Sequence, residues 1–120
     1  MYFYYLMLVF VGTNAKRFFV HEYGARPNDN LDDSRAIQHA IDQTIMDGAG
    51  NDLIFGYGIY TIASTLLILN ATDLVITGQG IDQTFLVGVN EVSIFNAVFC
   101  QGLQFKAFSI DYDPLPFTAG

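Results

Sequence analysis

Asp111 and Asp113, one on either side of Tyr112, form the pair of side chains in this sequence best suited to chemistry. In an extended strand, residues i and i+2 point the same way, so the two carboxylates would share a face. Such a pair suits a calcium ion, or one carboxyl with a raised pKa beside one that stays ionised. Pro114 and Pro116 follow at once, which places the pair where a strand ends and a loop begins. A structural turn is therefore the plainer reading, and Lys106 is the only base nearby. The remaining reactive residue types are scattered. His21, in the first strand signal, and His39, on the predicted helix, are the only histidines, and neither has a partner at metal-ligand spacing, so both read as structural or surface residues. Asp32-Asp33 imitates an acid pair, but capping of a following helix accounts for it. Cys100 is the only cysteine, which excludes an intrachain disulfide and a cysteine metal cluster. Val98 and Phe99 beside it suggest a buried, inert thiol. Thr77-Gly78-Gln79-Gly80 lacks the helix and the base that a phosphate loop needs. Asn70-Ala71-Thr72 is an N-glycosylation triplet, meaningful in a secreted eukaryotic chain and otherwise a plain turn. No cofactor is evident from these residues.

These side chains must be held by short strands and one helix. Ala36, Ile37, Ala40, Ile41, Thr44 and Ile45 recur at helical spacing and predict an amphipathic helix near 33–47. Asp32 and Asp33 are placed to cap its start, and Gly48 fits a left-handed residue just past its end. From Asp52 onward, apolar runs of three or four residues alternate with Gly, Asn and Asp. They are centred on Ile54, Tyr60, Leu67, Val75, Leu86, Ile94, Gln104 and Ser109, and their β-branched and aromatic content predicts strands. Leu53-Ile54-Phe55 and Leu74-Val75-Ile76 lie 21 positions apart, near the period of one β-solenoid turn. The later spacing is irregular, so a sandwich of hairpins remains open at this stage. No second helical pattern appears, which argues against alternating βαβ units.

The chain has 120 residues, 52% hydrophobic and 14% charged, enough for one domain and too apolar for disorder. Its net charge is −7, from 12 acids against 5 bases. That balance excludes nucleic acid as a partner. It also means that a polyanionic substrate would need a basic patch or bridging calcium. Residues 1–12 are an uninterrupted apolar run, too short to span a bilayer but long enough for an export-signal core. A cleavage site after Ala15 would make residues 1–15 a signal peptide and the mature protein secreted, although Lys16-Arg17 lie on the wrong side of the core. An apolar first strand, or a start codon misplaced within a larger gene, is the alternative.

Four motifs in order resemble one known family. They are Val20-His21-Glu22-Tyr23-Gly24-Ala25, Asp32-Asp33-Ser34 with Ala36-Ile37 and Ala40-Ile41, Phe55 with Gly58-Ile59-Tyr60-Thr61-Ile62, and Leu74-Val75-Ile76-Thr77-Gly78-Gln79-Gly80 with Thr84 and Leu86. Together they are similar to the amino-terminal part of the pectate lyase superfamily, within its rhamnogalacturonase/epimerase-like group, over about residues 18–87, with the similarity continuing through Ile110-Asp111-Tyr112-Asp113-Pro114-Leu115-Pro116-Phe117. Two positions depart from the family pattern. Gly56 stands where proline usually follows the phenylalanine, and Pro27-Asn28-Asp29-Asn30 replaces a glycine-rich turn.

The resemblance implies an all-β fold, a right-handed parallel β-helix, with the helix near 33–47 covering its amino-terminal end. It also implies action on pectin-like or other uronic-acid polysaccharides, by elimination or by hydrolysis, with calcium as a cofactor if the full-length protein is a lyase. Family members carry catalysis on central coils beyond this stretch, so residues 16–120 are expected to be the amino-terminal part of a truncated domain, inactive alone. Asp111 and Asp113 remain the catalytic candidates here. A non-catalytic β-helix that binds glycans, or a structural module, is the alternative from a different class. A small sandwich complete at this length is a third reading, and it predicts antiparallel strand pairs.

Overall fold

A computed structural model describes residues 15–113. The export signal expected over 1–15 and the prolines after Asp113 therefore lie outside the described residues, Ala15 excepted. Among the described residues, nine short strands and one α-helix make up the fold. The strands are β1 (Arg17–Phe19), β2 (Asp52–Ile54), β3 (Gly58–Ile62), β4 (Leu66–Leu69), β5 (Val75–Thr77), β6 (Thr84–Gly88), β7 (Phe95–Val98), β8 (Gln104–Lys106) and β9 (Ser109–Tyr112). The helix α1 spans Ser34–Asp47.

Every strand pairing is parallel, and the strands sort into three sheets of order β1-β2-β5-β8, β3-β6-β9 and β4-β7. The chain thus runs through the three sheets in turn (β2, β3, β4), repeats the circuit (β5, β6, β7), and begins it again (β8, β9). This is a parallel β-helix-like coil stack. The antiparallel pairs that a sandwich needs do not occur among the described residues. Side-chain alternation explains why the coil closes: Leu66 and Ile68 point inward while Leu67 and Leu69 point out, and Thr84, Leu86 and Gly88 do the same on β6. Leu53, Phe55, Tyr60, Ile62, Leu66, Ile68, Ile76 and Leu86 fill the bore and are essentially inaccessible to solvent. Each such side chain contributes about 1.5–3 kcal/mol by leaving water.

The ladder corrects the sequence period. Leu53 stacks on Ile76, not on Leu74. The slip is two residues, so the same face stays inward and the apolar pattern survives it. β7 begins at Phe95, with Ile94 buried just before it, and β9 begins at Ser109. A further correction concerns His21. The run from Val20 to Tyr23 is a single 3-10 turn rather than a strand, because Gly24 adopts a left-handed φ of 100° and lets the Ala25 N–H return to the Val20 carbonyl. The strand lies just before it, at Arg17–Phe19.

Helix α1 lays Ile37, Ala40, Ile41 and Thr44 onto the first coil. Its caps differ from expectation. Asp33 occupies the N-cap, yet its carboxylate makes no capping bond to the helix. The Ser34 N–H is held instead by Asp32. Gly48 has positive φ, but its ψ of −178° lies outside the left-handed helical region, in backbone space open to glycine alone. The departure at Gly56 has a local reason: its N–H donates to the Tyr60 hydroxyl at 2.9 Å, which a proline could not do.

Candidate functional site

Two surfaces bring polar or reactive side chains together. The first runs along the flank of α1. The exposed edges of the first coil must be satisfied, and the stretch 26–42 does this with side chains. Asn28 pairs with Ile59 like a strand residue, its N–H donating to the Ile59 carbonyl at 2.8 Å and its Oδ1 accepting from the Ile59 N–H at 2.9 Å. Asp32 Oδ1 accepts from the Ser34 hydroxyl, the Ser34 N–H and the Ala63 N–H. The Ser34 hydroxyl oxygen accepts from the Ala63 and Ser64 N–H groups. Gln38 then matches the peptide of Leu67, accepting at 2.7 Å and donating at 2.8 Å. Between α1 and residues 64–65 these contacts leave an open groove of about 770 Å³, where Arg35, His39 and Asp42 meet Ser64 and Thr65. His39 is oriented by an edge-on contact with the Tyr23 ring at 5.1 Å.

The electrostatics of the two adjacent aspartates diverge. Partial burial pushes the Asp32 carboxyl up, but the hydrogen bonds from Ser34 and Ala63 outweigh it and hold the group below the usual carboxylate value. Asp33 is only 4% exposed, and burial raises it. The hydrogen bond from the Arg26 N–H and, more weakly, the Thr61 backbone oppose that rise, and the charges of Asp29 and Asp32 add to it. Its second carboxylate oxygen has no partner among the described residues.

The second surface is the edge of the last coil. Asp111 lies on β9 and Asp113 just beyond it, both exposed, with the half-buried Tyr112 between them lining a recess. The Asp111 carboxylate accepts from the Tyr112 N–H at 2.8 Å, and the Asp113 N–H donates to the Gly88 carbonyl at 2.9 Å. The recess holds about 580 Å³ and is lined by Phe95, Phe105, Phe108 and Ile110. Among the described residues no three His, Cys, Asp or Glu side chains stand close enough to hold a metal ion. His21 is exposed on its turn beside Phe19, far in sequence from Asp111 and Asp113. Cys100 is half-buried, with its thiol donating to the Ile68 carbonyl at 3.3 Å. The glycine corner at 78–80 is packed rather than open: the Gly78 backbone lies against Ala107 and Phe108, with no room for a side chain.

Sequence reasoning missed the groove on α1. The signal was present in the spacing of Arg35 with His39 and of Gln38 with Asp42, four residues apart on one helical face. What the spacing lacks is residues 64–65, which only the coil brings opposite.

No family model matches the chain, and no curated protein does. Among solved structures the chain is similar to the catalytic domain of Agl-KA, with a TM-score of 0.71 and 21% identity. The match covers 84% of this chain and 18% of that one, so the chain spans less than a fifth of that domain's length. At such identity the likeness bears on the fold. Among the described residues no helix is long and apolar enough to cross a membrane.

Proposed function

We propose that this chain is the amino-terminal, helix-capped part of a right-handed parallel β-helix in a secreted carbohydrate-active protein of the pectate lyase superfamily. The observation that carries the reading is the coil stack itself, closed at one end by α1 and similar to part of a much longer catalytic domain. Right-handedness follows from the strong preference of parallel strand–crossover–strand connections for that hand. The substrate class is an acidic, pectin-like polysaccharide, processed by a lyase or a hydrolase on coils other than those described. The flank of α1 and the first coils serve as scaffold, and by itself this part is inactive.

A second reading, a glycan-binding or structural β-helix without catalysis, is favoured by one observation. Asp111, one of the two catalytic candidates, has its carboxylate engaged by the adjacent Tyr112 N–H, as in a structural turn. One experiment separates the two. The secreted protein, at whatever length its source produces, is incubated with polygalacturonate with and without calcium. Appearance of unsaturated uronate ends indicates elimination, new reducing ends alone indicate hydrolysis, and retention on immobilised polysaccharide without either indicates binding only. Absence of all three rules out acidic glycans as the ligand class.

A further inference from the structure

We propose that Asn70 is an N-linked glycosylation site, and that the exposed ring of Phe99 is the platform on which the first sugar of that glycan lies. The inference rests on the secreted reading above. Asn70-Ala71-Thr72 is the one Asn-x-Ser/Thr triplet in the sequence, and the structure presents it for modification. Asn70 follows β4 at a left-handed φ of 58°, which turns its side chain out of the coil bore that the in-register Leu66 and Ile68 occupy. Asparagine tolerates this backbone. Its N–H is taken by the Val98 carbonyl, and its side-chain amide makes no hydrogen bond among the described residues. Asn28 and Asn51, by contrast, use their side chains to hold the fold. Ala71 is buried and pins the corner, so Asn70 and Thr72 stand exposed on either side of it.

The second observation is independent of the triplet. Leu69 pairs with Val98, so Phe99 occupies in the next coil the place that Asn70 has in this one, at a matching φ of 56°. Adjacent coils lie about 4.8 Å apart. Phe99 is 84% exposed at the corner after β7, whose far edge no strand covers among the described residues. A sugar joined to Asn70 would rest its apolar C–H face on that ring.

The chemistry is a glycosyl transfer. The amide nitrogen of Asn70 forms a bond to the anomeric carbon of an oligosaccharide carried on a lipid pyrophosphate. The bond from that carbon to the pyrophosphate oxygen breaks, the lipid pyrophosphate leaves, and the amide gives up one proton. Nothing is oxidised or reduced, and the secretory host supplies the donor.

The test expresses the full chain in a eukaryotic secretory host behind a foreign export leader, so the outcome does not depend on residues 1–15. Wild type is expected to lose mass on treatment with peptide-N-glycosidase, whereas Asn70→Gln and Thr72→Ala show no loss and Thr72→Ser retains it. Trimming the glycan from wild type is expected to lower Tm by about 4 °C, and from Phe99→Ser by nothing measurable, with Phe99→Leu as a check on folding. Wild type that leaves the host without glycan, while a control sequon in the leader is glycosylated, overturns the site. A glycan whose removal lowers Tm equally with and without Phe99 overturns the platform. Either failure leaves the polysaccharide reading untouched, because that reading is measured by turnover and binding.

Discussion

At the amino-terminal end of the coil stack each strand of the first full coil meets a partner. β2 meets β1, β3 meets residues 28–33, and β4 meets the side chain of Gln38. At the other end β7, β8 and β9 present edges that no strand covers among the described residues, and Phe105 remains 46% exposed over the bore. The two ends begin from the same backbone problem, since an unpaired parallel edge offers donors and acceptors to any passing strand. The first end solves it with a short local stretch in which Asn28, Asp32 and Gln38 imitate a strand. The lesson is that a solenoid is capped by side-chain amides and carboxylates placed at coil spacing, with the apolar helix covering the bore behind them.

The comparison breaks most visibly at the core beneath each end. Ile41→Ala is expected to cost about 2–5 kcal/mol, because the site is fully buried between α1 and the first coil. Ile110→Ala, at a position 48% exposed, should cost under about 1 kcal/mol. Urea unfolding with unchanged m-values measures both. Equal losses would mean that the last coil is covered as well as the first.

Next in size is the peptide mimicry. Gln38→Ala should cost about 1–2 kcal/mol by leaving the Leu67 N–H and carbonyl without their partners. Amide hydrogen exchange at Leu67 should accelerate selectively, while exchange along β7 is unchanged. Exchange at Leu67 no faster than in wild type would show that water replaces Gln38 without loss.

The two aspartates sharpen the comparison through pH. The raised Asp33 group binds its proton more firmly in the folded chain, so stability falls as pH rises from about the usual value of 3.8 through the folded one. Asp33→Asn should remove that fall and compare with wild type more favourably near neutral pH than in acid. The lowered Asp32 group acts oppositely. Its contribution is complete above the unfolded value and is lost as pH falls through the folded one. Asp32→Asn should therefore be most damaging near neutral pH. Thermal melts across the acid range decide, and parallel pH profiles for the two variants would contradict the assignment. Smallest of all is the pair of Lys16 with Asp47 at 3.1 Å, whose lysine is largely solvated. Lys16→Ala is expected to change stability least of these variants, with the difference shrinking in salt.

The sequence alone determined much of this molecule. The span of α1 and its buried face and the near positions of eight strands were legible, because apolar periodicity is set by which side of an element leaves water. The outward placement of Asp111 and Asp113 also follows from strand alternation, although their role was not legible, since catalysis depends on groups that spacing does not reveal. Other features were decided only in three dimensions. Whether Leu53 would meet Leu74 or Ile76 could not be read, since both choices keep the same face inward and corner geometry selects between them. That Asp33 would be buried with an unpartnered oxygen, while Asp32 beside it gathered three donors, depended on where Arg26 and Ala63 arrived. Gln38 reads in sequence as a solvated helix residue, and it becomes a strand partner because the coil brings Leu67 to it from 29 positions away. Local pattern fixes what each segment buries, and the closing of the coil fixes which segments it is buried against.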